Sequence, residues 1–251
     1  MAIPCFYHRE LIELETVIEL SNSESLHLSK SRRLKPGQKV RLINGKGLIG
    51  SGTILVVKSD LVEVQLTNFV VSPVRASNIT VATAIPKGDR SKVMVDMLSQ
   101  LGVTRIIPIR CDYSVSRFRD RYLEKWQRIA MEACKQSQNP WLPHIEPEWE
   151  FVHLLSNLES IAAGETASID DLEPTKSPKL IYADAAGQYC HQLTELSGDL
   201  VAMIGPEGGF SKDELKLLES LNATAITLGA NILRTEVAAI TAVSQLAAIM
   251  K

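Results

Sequence analysis

Aromatic residues are scarce in this chain: Phe, Trp and Tyr make up 5% of its 251 residues. No apolar run reaches the roughly 18 residues that a membrane-crossing helix needs, which excludes an integral membrane protein of that type. Charge of one sign is not in excess either, since 27 Lys and Arg face 29 Asp and Glu for a net charge of -2. That balance excludes a globally basic nucleic-acid binder but leaves room for a local basic face. Cysteine and histidine are few and dispersed. Cys5, Cys111, Cys134 and Cys190 form no Cys-x-x-Cys pair, and His8, His27, His144, His153 and His191 form no His-x-His or His-x-x-x-His pattern. No metal site and no disulfide framework are expected, and the cysteines read as small core hydrophobes. The segment Met1–Leu11 carries His8, Arg9 and Glu10 without an apolar run of signal-peptide length, so a cytoplasmic location is expected. No internal repeat recurs at a fixed period.

What is present suits a folded chain. Hydrophobic residues at 45% and charged residues at 22% allow a sizeable core, and the length suits two medium domains. Residues 1–72 read as β-rich: Val40–Ile43, Gly52–Val57 and Leu61–Leu66 are strand-like, which suggests a small barrel or sheet. Asn44-Gly45 predicts a tight hairpin turn with positive φ at both residues. Pro73 marks the expected boundary. Beyond it, strand-like segments Ile79–Ile85, Val103–Ile109, Leu180–Ala183, Leu200–Ile204 and Ala225–Leu228 alternate with helical segments Ser91–Leu101, Arg121–Gln136, Lys212–Leu221 and Glu236–Met250. This alternation predicts an α/β layer with a mostly parallel sheet over 73–251. Gly102 is placed to end the first of these helices, and Gly164–Lys179 reads as an exposed connection.

Charge is unevenly spread. Residues 1–72 hold 9 Lys/Arg and 7 Asp/Glu, net +2, and include the cluster Lys30, Arg32, Arg33 and Lys35. Residues 105–135 hold 8 basic and 4 acidic residues, net +4, including Arg117 and Arg119. Either cluster can be a solvated face. Together, on an acidic chain, they also suit the neutralisation of RNA phosphates.

Two strand-to-helix turns hold the candidate chemistry. The first is Ile204-Gly205-Pro206-Glu207-Gly208-Gly209-Phe210-Ser211, whose Ser211 and Glu214 form a capping-box pattern. Its glycines permit close approach of a ligand, or simply a tight turn. It matches neither the dinucleotide nor the Walker glycine pattern. The second is Leu228-Gly229-Ala230-Asn231-Ile232-Leu233-Arg234-Thr235-Glu236, in which Thr235 is a candidate N-cap. Arg234 stands between apolar segments and needs either a substrate or an ion pair with Glu236 or Glu207.

In order and spacing, these two turns resemble the signature loops of the RsmE family, bacterial 16S ribosomal RNA (uracil-N3)-methyltransferases of the SPOUT superfamily. Ala84-Ile85-Pro86-Lys87-Gly88-Asp89-Arg90, Leu101-Gly102-Val103, Ser114-Val115 and Glu132–Ser137 are similar to further family segments. His27-Leu28, Arg33-Leu34-Lys35-x-Gly37 and Gly45-x-Gly47 resemble its PUA-like RNA-binding domain. The resemblance implies a PUA-like β-barrel domain at 1–72 and a SPOUT domain, with a deep trefoil knot, at 73–251. It implies S-adenosyl-L-methionine as methyl donor, held by Ala183, Ile204, Gly205, Glu207, Gly208, Gly209, Leu228, Gly229, Ile232, Leu233 and Thr235.

Arg234 would stabilise the uracil anion as N3 takes the methyl group, and Glu236 would orient Arg234 or relay the proton. Arg33, Lys35, Lys87, Arg90, Arg117 and Arg119 would face the RNA. The implied partners are 16S rRNA or the small ribosomal subunit and a second copy of the chain. The sequence departs from the family pattern at Gln100, Tyr113, Gln138-Asn139, Ala230-Asn231 and Val237, where Glu, Arg, Gly-Arg, Pro-Arg or a similar pair, and Thr are usual. These departures concern the RNA side more than the donor loops. Two other readings share the features: a catalytically silent or retargeted RNA-binding relative, and an unrelated α/β enzyme that binds an anion on the glycine loop.

Overall fold

The computed structural model describes residues 3–13, 16–58, 60–74, 77–158, 177–193 and 196–250. It divides into two compact units: Met1–Val74 with Met131–Leu142, and Arg75–Ala130 with Pro143–Lys251. The division expected at Pro73 assigns Met131–Leu142 to the second part, whereas these residues group with the first. A contiguous reading of the chain has no means of assigning a returning segment.

The first unit is a mixed sheet of five strands: β1 Cys5–Tyr7, β2 Val17–Glu19, β3 Lys39–Ile43, β4 Leu48–Val57 and β5 Val62–Val71, in the order β1-β3-β4-β5-β2. Only β1 and β3 run parallel. No pairing of β1 with β2 closes the sheet among the described residues, so the expected barrel is an open path of strands. Alternate residues of β4 and β5 point inward, as a half-buried sheet requires. Phe6, Leu28, Leu42, Ile54, Val62 and Val64 form the sealed centre. Helix α1, Asn22–Leu26, begins on Ser21, whose hydroxyl accepts from Glu24 N–H. A one-turn π-type segment, His27–Ser31, follows it.

The turn at Asn44 differs from the expected one. Gly45 and Gly47 take positive φ, but Asn44 does not. Its side chain instead accepts from the N–H groups of Lys46 (2.8 Å) and Leu48 (3.1 Å), so side-chain bonding replaces the left-handed conformation.

In the second unit, β6 Ile79–Thr83, β7 Arg105–Arg110, β8 His144–Ile145, β10 Lys179–Tyr189, β11 Leu200–Ile204 and β12 Thr224–Thr227 form a sheet in the order β12-β10-β11-β6-β7-β8. All its pairs are parallel, and β9 Trp149–Glu150 also pairs with β7. Every residue of β6 and β11 is buried, which explains their continuous apolar runs. The helices are α2 Arg90–Leu101, α3 Asp120–Ser137, α4 Phe151–Ser156, α5 Lys212–Ser220 and α6 Thr235–Ile249. Gly102 ends α2 in the left-handed conformation, as its position predicts.

On α2, Met94, Val95 and Leu98 are buried, whereas Val93, Met97 and Leu101 remain exposed. The apolar side chains of this helix therefore fall on both its buried and its exposed sides. Ala238, Ala239 and Ala242 of α6 are buried and small, which lets that helix lie close to α2, β6 and β11. The expected connection Gly164–Lys179 lies outside the described residues except at Ser177–Lys179.

Candidate active site

The parallel sheet places three turns on one edge. Strand β10 lies between β11 and β12, so the turns that follow β11 and β12 emerge beside the far end of β10. Carboxyl edges of parallel strands are where open α/β sheets bind ligands. The turn after β6 joins them, with Ala84 N–H donating to the Ile204 carbonyl at 2.9 Å.

Each turn has its own local cause. After β11, Gly205 cannot carry a Cβ without crowding Phe210 and the Gly209 backbone, at 3.3 Å from each. Gly209 has φ +73, and nothing lies within 4 Å of the space its Cβ would take. The turn then locks into α5. Ser211 Oγ accepts from Glu214 N–H at 3.2 Å, and Glu214 Oε2 accepts from Ser211 N–H at 2.7 Å. The expected capping box is therefore formed.

After β12, Thr227 Oγ1 donates to the Gly229 carbonyl at 3.2 Å. Gly229 has φ +143 and open space where a side chain would stand. Ala183 is half-buried at the end of the regular part of β10, paired with Ile226. Ile204 is buried. Glu207, Gly208 and Gly209 are exposed, as is Gly229, while Leu228 and Leu233 are half-buried. Ile232 is 94% exposed, an unusual state for so apolar a side chain.

Two details of the second turn differ from expectation. Arg234, not Thr235, occupies the N-cap position of α6, and no side chain caps that helix. Thr235 is instead buried as its first residue. Arg234 makes no ion pair among the described residues, and Glu236 faces Arg90, with Oε1 3.8 Å from Nε. Glu236 is therefore paired with the first residue of α2 and not with its neighbour Arg234. Its Oε2 is buried without a hydrogen-bond partner among the described residues, although the first turn of a helix favours a carboxylate.

Other residues reached this edge unannounced by the sequence. Strand β10 breaks register between Ala183 and Gln188, then resumes pairing with Ile226 and Thr227. Gly187 lies so close to β12 that a Cβ would stand 2.5 Å from the Ile226 backbone. A lone glycine in a polar stretch gives little signal of such an approach. The loop after β7 was equally silent. Asp112 Oδ2 accepts from Ser211 Oγ at 2.6 Å, and Asp112 N–H donates to Glu214 Oε1 at 2.9 Å. The same carboxylate that caps α5 thus also anchors this loop.

A cavity of about 540 Å³ opens beside that loop, lined by Arg110, Asp112, Arg117, Glu150, Asp213 and Glu214 among others. Its carboxylates accept from Ser211 or pair with Arg110 and Lys216. No group of His, Cys, Asp or Glu suited to a metal occurs among the described residues.

The basic residues separate into engaged and exposed ones. Arg105 pairs with Glu146 at 3.3 Å, Arg110 with Glu148 at 2.8 Å, and Lys135 with Glu24 at 2.7 Å. The cluster expected over 105–135 is thus smaller than its sequence charge suggests. Arg117 and Arg119 stay exposed, as do Lys87, Arg33 and Lys35, while Arg90 is partly covered. Burial pushes the Cys5 thiol up to about 11, and burial followed by the Glu214 and Asp112 carboxylates pushes Cys111 higher still.

Residues 73–247 match the sequence profile of an RNA methyltransferase domain, and residues 20–67 match that of an RNA methyltransferase PUA domain. The chain belongs to the RNA methyltransferase family. Ribosomal RNA small subunit methyltransferase E of Rickettsia conorii is 32% identical over 239 residues, covering 91% of this chain and 88% of that protein. Its counterpart in Mycobacterium bovis is 27% identical, covering 95% and 89%. The crystal structure of ribosomal RNA small subunit methyltransferase E from Neisseria gonorrhoeae, bound to S-adenosyl methionine, has a TM-score of 0.83 at 26% identity, covering 99% of this chain and 98% of that one. A methyltransferase from Legionella pneumophila, solved with bound SAM, also gives 0.83, at 25% identity and 100% and 99% coverage. Membership of this family accounts for both units of the chain.

Proposed function

We propose that this chain transfers a methyl group from S-adenosylmethionine to N3 of a uracil in the 16S rRNA of the small ribosomal subunit. The observation that carries the reading is the meeting of the β10, β11 and β12 ends on one sheet edge, with open space at Gly209 and Gly229. Family membership supports it. When bound, S-adenosylmethionine supplies an electrophilic methyl group on a positively charged sulfur. Gly205, Gly208, Gly209, Leu228, Gly229 and Leu233 would offer it backbone groups without side-chain obstruction. Ala183, Ile204, Ile232 and Thr235 would border it, and the exposed Glu207 would bring a negative charge toward the sulfonium.

N3–H of uracil is a weak acid, so the attacking base must lose its proton. Arg234, exposed and without an ion pair among the described residues, is assigned to hold the forming anion. Glu236 is assigned to proton relay through the carboxylate oxygen that lacks a partner. Lys87, Arg90, Arg117 and Arg119, with Arg33 and Lys35 of the first unit, are assigned to RNA phosphates.

The finer parts of the fold and assembly follow the same reading. The same reading includes a SPOUT knot threaded by the last segment. The exposed stripe Val93, Met97 and Leu101 on α2, with Val237 on α6, supports a homodimer. A cytoplasmic site of action suits an rRNA substrate, and no described helix is long and apolar enough to cross a membrane.

The test incubates purified protein with isotope-labelled S-adenosylmethionine and either small ribosomal subunits or bare 16S rRNA, followed by nucleoside mass analysis. Labelled 3-methyluridine is expected. Absence of label, or label on another atom, would contradict the assignment.

A further inference from the structure

The loop after β7 carries a side chain that no step above uses. Tyr113 is 52% exposed, and among the described residues the only other exposed Phe, Trp or Tyr is Tyr189. The Tyr189 ring is already stacked on His191, at 5.6 Å and 19°. No ring contact involves Tyr113 among the described residues.

Tyr113 is nonetheless held in place. Cys111 N–H donates to Ser114 Oγ at 2.9 Å, and Asp112 is bound to both Ser211 and Glu214. Its base rests on the glycine turn: a Cβ at Gly208 would come within 3.2 Å of Tyr113 Cβ. Glycine at 208 thus lets the aromatic residue sit directly against the turn assigned to the methyl donor. Arg117 and Arg119 follow on the same loop, exposed. An anchored, unpartnered aromatic face beside exposed guanidinium groups is the combination that binds unpaired RNA, with rings stacking on bases and cations meeting phosphates.

We propose that Tyr113 is the base-stacking platform of this active site, holding an unpaired nucleobase of the RNA at the rim of the Gly205–Gly209 turn. Tyr113 is a positioning residue and takes no part in the transfer itself. The inference rests on the RNA-methylating reading above and adds a contact that selects unstacked RNA.

The experiment compares the full-length wild type with Tyr113→Phe, Tyr113→Trp and Tyr113→Ala, at fixed salt, on small ribosomal subunits or 16S rRNA. Tyr113→Phe and Tyr113→Trp should retain RNA affinity. Tyr113→Ala should raise Kd and KM for RNA about tenfold, with S-adenosylmethionine affinity and kcat unchanged. RNA carrying 5-iodouridine should photo-cross-link to the peptide that contains Tyr113. The platform is overturned if Tyr113→Ala binds RNA as the wild type does. It is equally overturned if cofactor affinity falls together with RNA affinity, since the ring would then be a prop for Gly208. If the wild type transfers no methyl group yet its RNA affinity depends on Tyr113, the methylation reading fails and the platform stands. If the wild type binds no RNA, both fail.

Discussion

Lys135 and Glu24 form the one ion pair among the described residues whose partners are both sealed from water, at 5% and 6% side-chain exposure. Glu24 also accepts from Tyr7 N–H at 3.2 Å, so its second oxygen is satisfied. Removing one partner of such a pair strands a buried charge, at a cost of about 3–5 kcal/mol. Lys135→Met should therefore lower the urea midpoint clearly, and pairing it with Glu24→Leu should recover most of the loss. Equal instability of the single and double variants would show that the charge is not what matters.

Arg234 is the opposite case. It is exposed and unpaired among the described residues, so Arg234→Ala should leave thermal stability within about 0.5 kcal/mol. Turnover should fall about a hundredfold, the usual loss when a donor to a developing anion is removed. Methylation at the wild-type rate would remove Arg234 from the reaction. Gly229→Val adds a side chain at φ +143, into the open space above the backbone. Calorimetry should show S-adenosylmethionine affinity reduced at least tenfold, and unaltered affinity would refute this placement of the donor.

The elements show which interactions a linear sequence records. The Ser211–Glu214 capping box and the Gly102 helix end depend on neighbours a few residues apart, and each formed as its pattern implied, whereas the turn after β12 places Arg234 and not Thr235 at the N-cap of α6. What escaped was long-range. The anchoring of Asp112 on α5 joins positions 102 residues apart, and Glu24 meets Lys135 over a separation of 111. Glu236 has Arg234 nearby in sequence, yet it faces Arg90 on another element. Proximity along the chain is a poor guide where a helix start sits against a different turn. The strands β1, β2, β8 and β9 were also illegible, because two or three residues are too few to show a period.

The capping box supports a prediction at this level. Ser211→Ala removes the cap of α5 and the bond to Asp112 together. The expected loss is about 1–2 kcal/mol in chemical denaturation, accompanied by faster hydrogen exchange in the loop after β7. Exchange confined to α5 would mean that the loop is held by other contacts.

The whole molecule joins a PUA-type unit to a parallel-sheet unit, with basic residues left exposed on both. Electrostatic contacts of this kind set affinity without reading sequence, and they weaken with salt. Reversing Arg117 and Arg119 to Glu should weaken RNA binding most at low ionic strength and flatten its salt dependence. Unaltered, salt-insensitive affinity would place those residues away from the RNA. The proposed dimer would rest on the apolar stripe of α2, where Met97 is 40% exposed. Met97→Lys should shift the light-scattering mass from dimer to monomer, and a wild type already monomeric at micromolar concentration would remove the proposed dimer.

The most direct measurement is mass mapping of small-subunit rRNA from cells lacking this gene, repeated after complementation with the wild type and with Arg234→Ala. The account predicts that one 3-methyluridine disappears, returns with the wild type and stays absent with the variant. An rRNA nucleoside profile identical in the parent, the deletion strain and both complemented strains would contradict it.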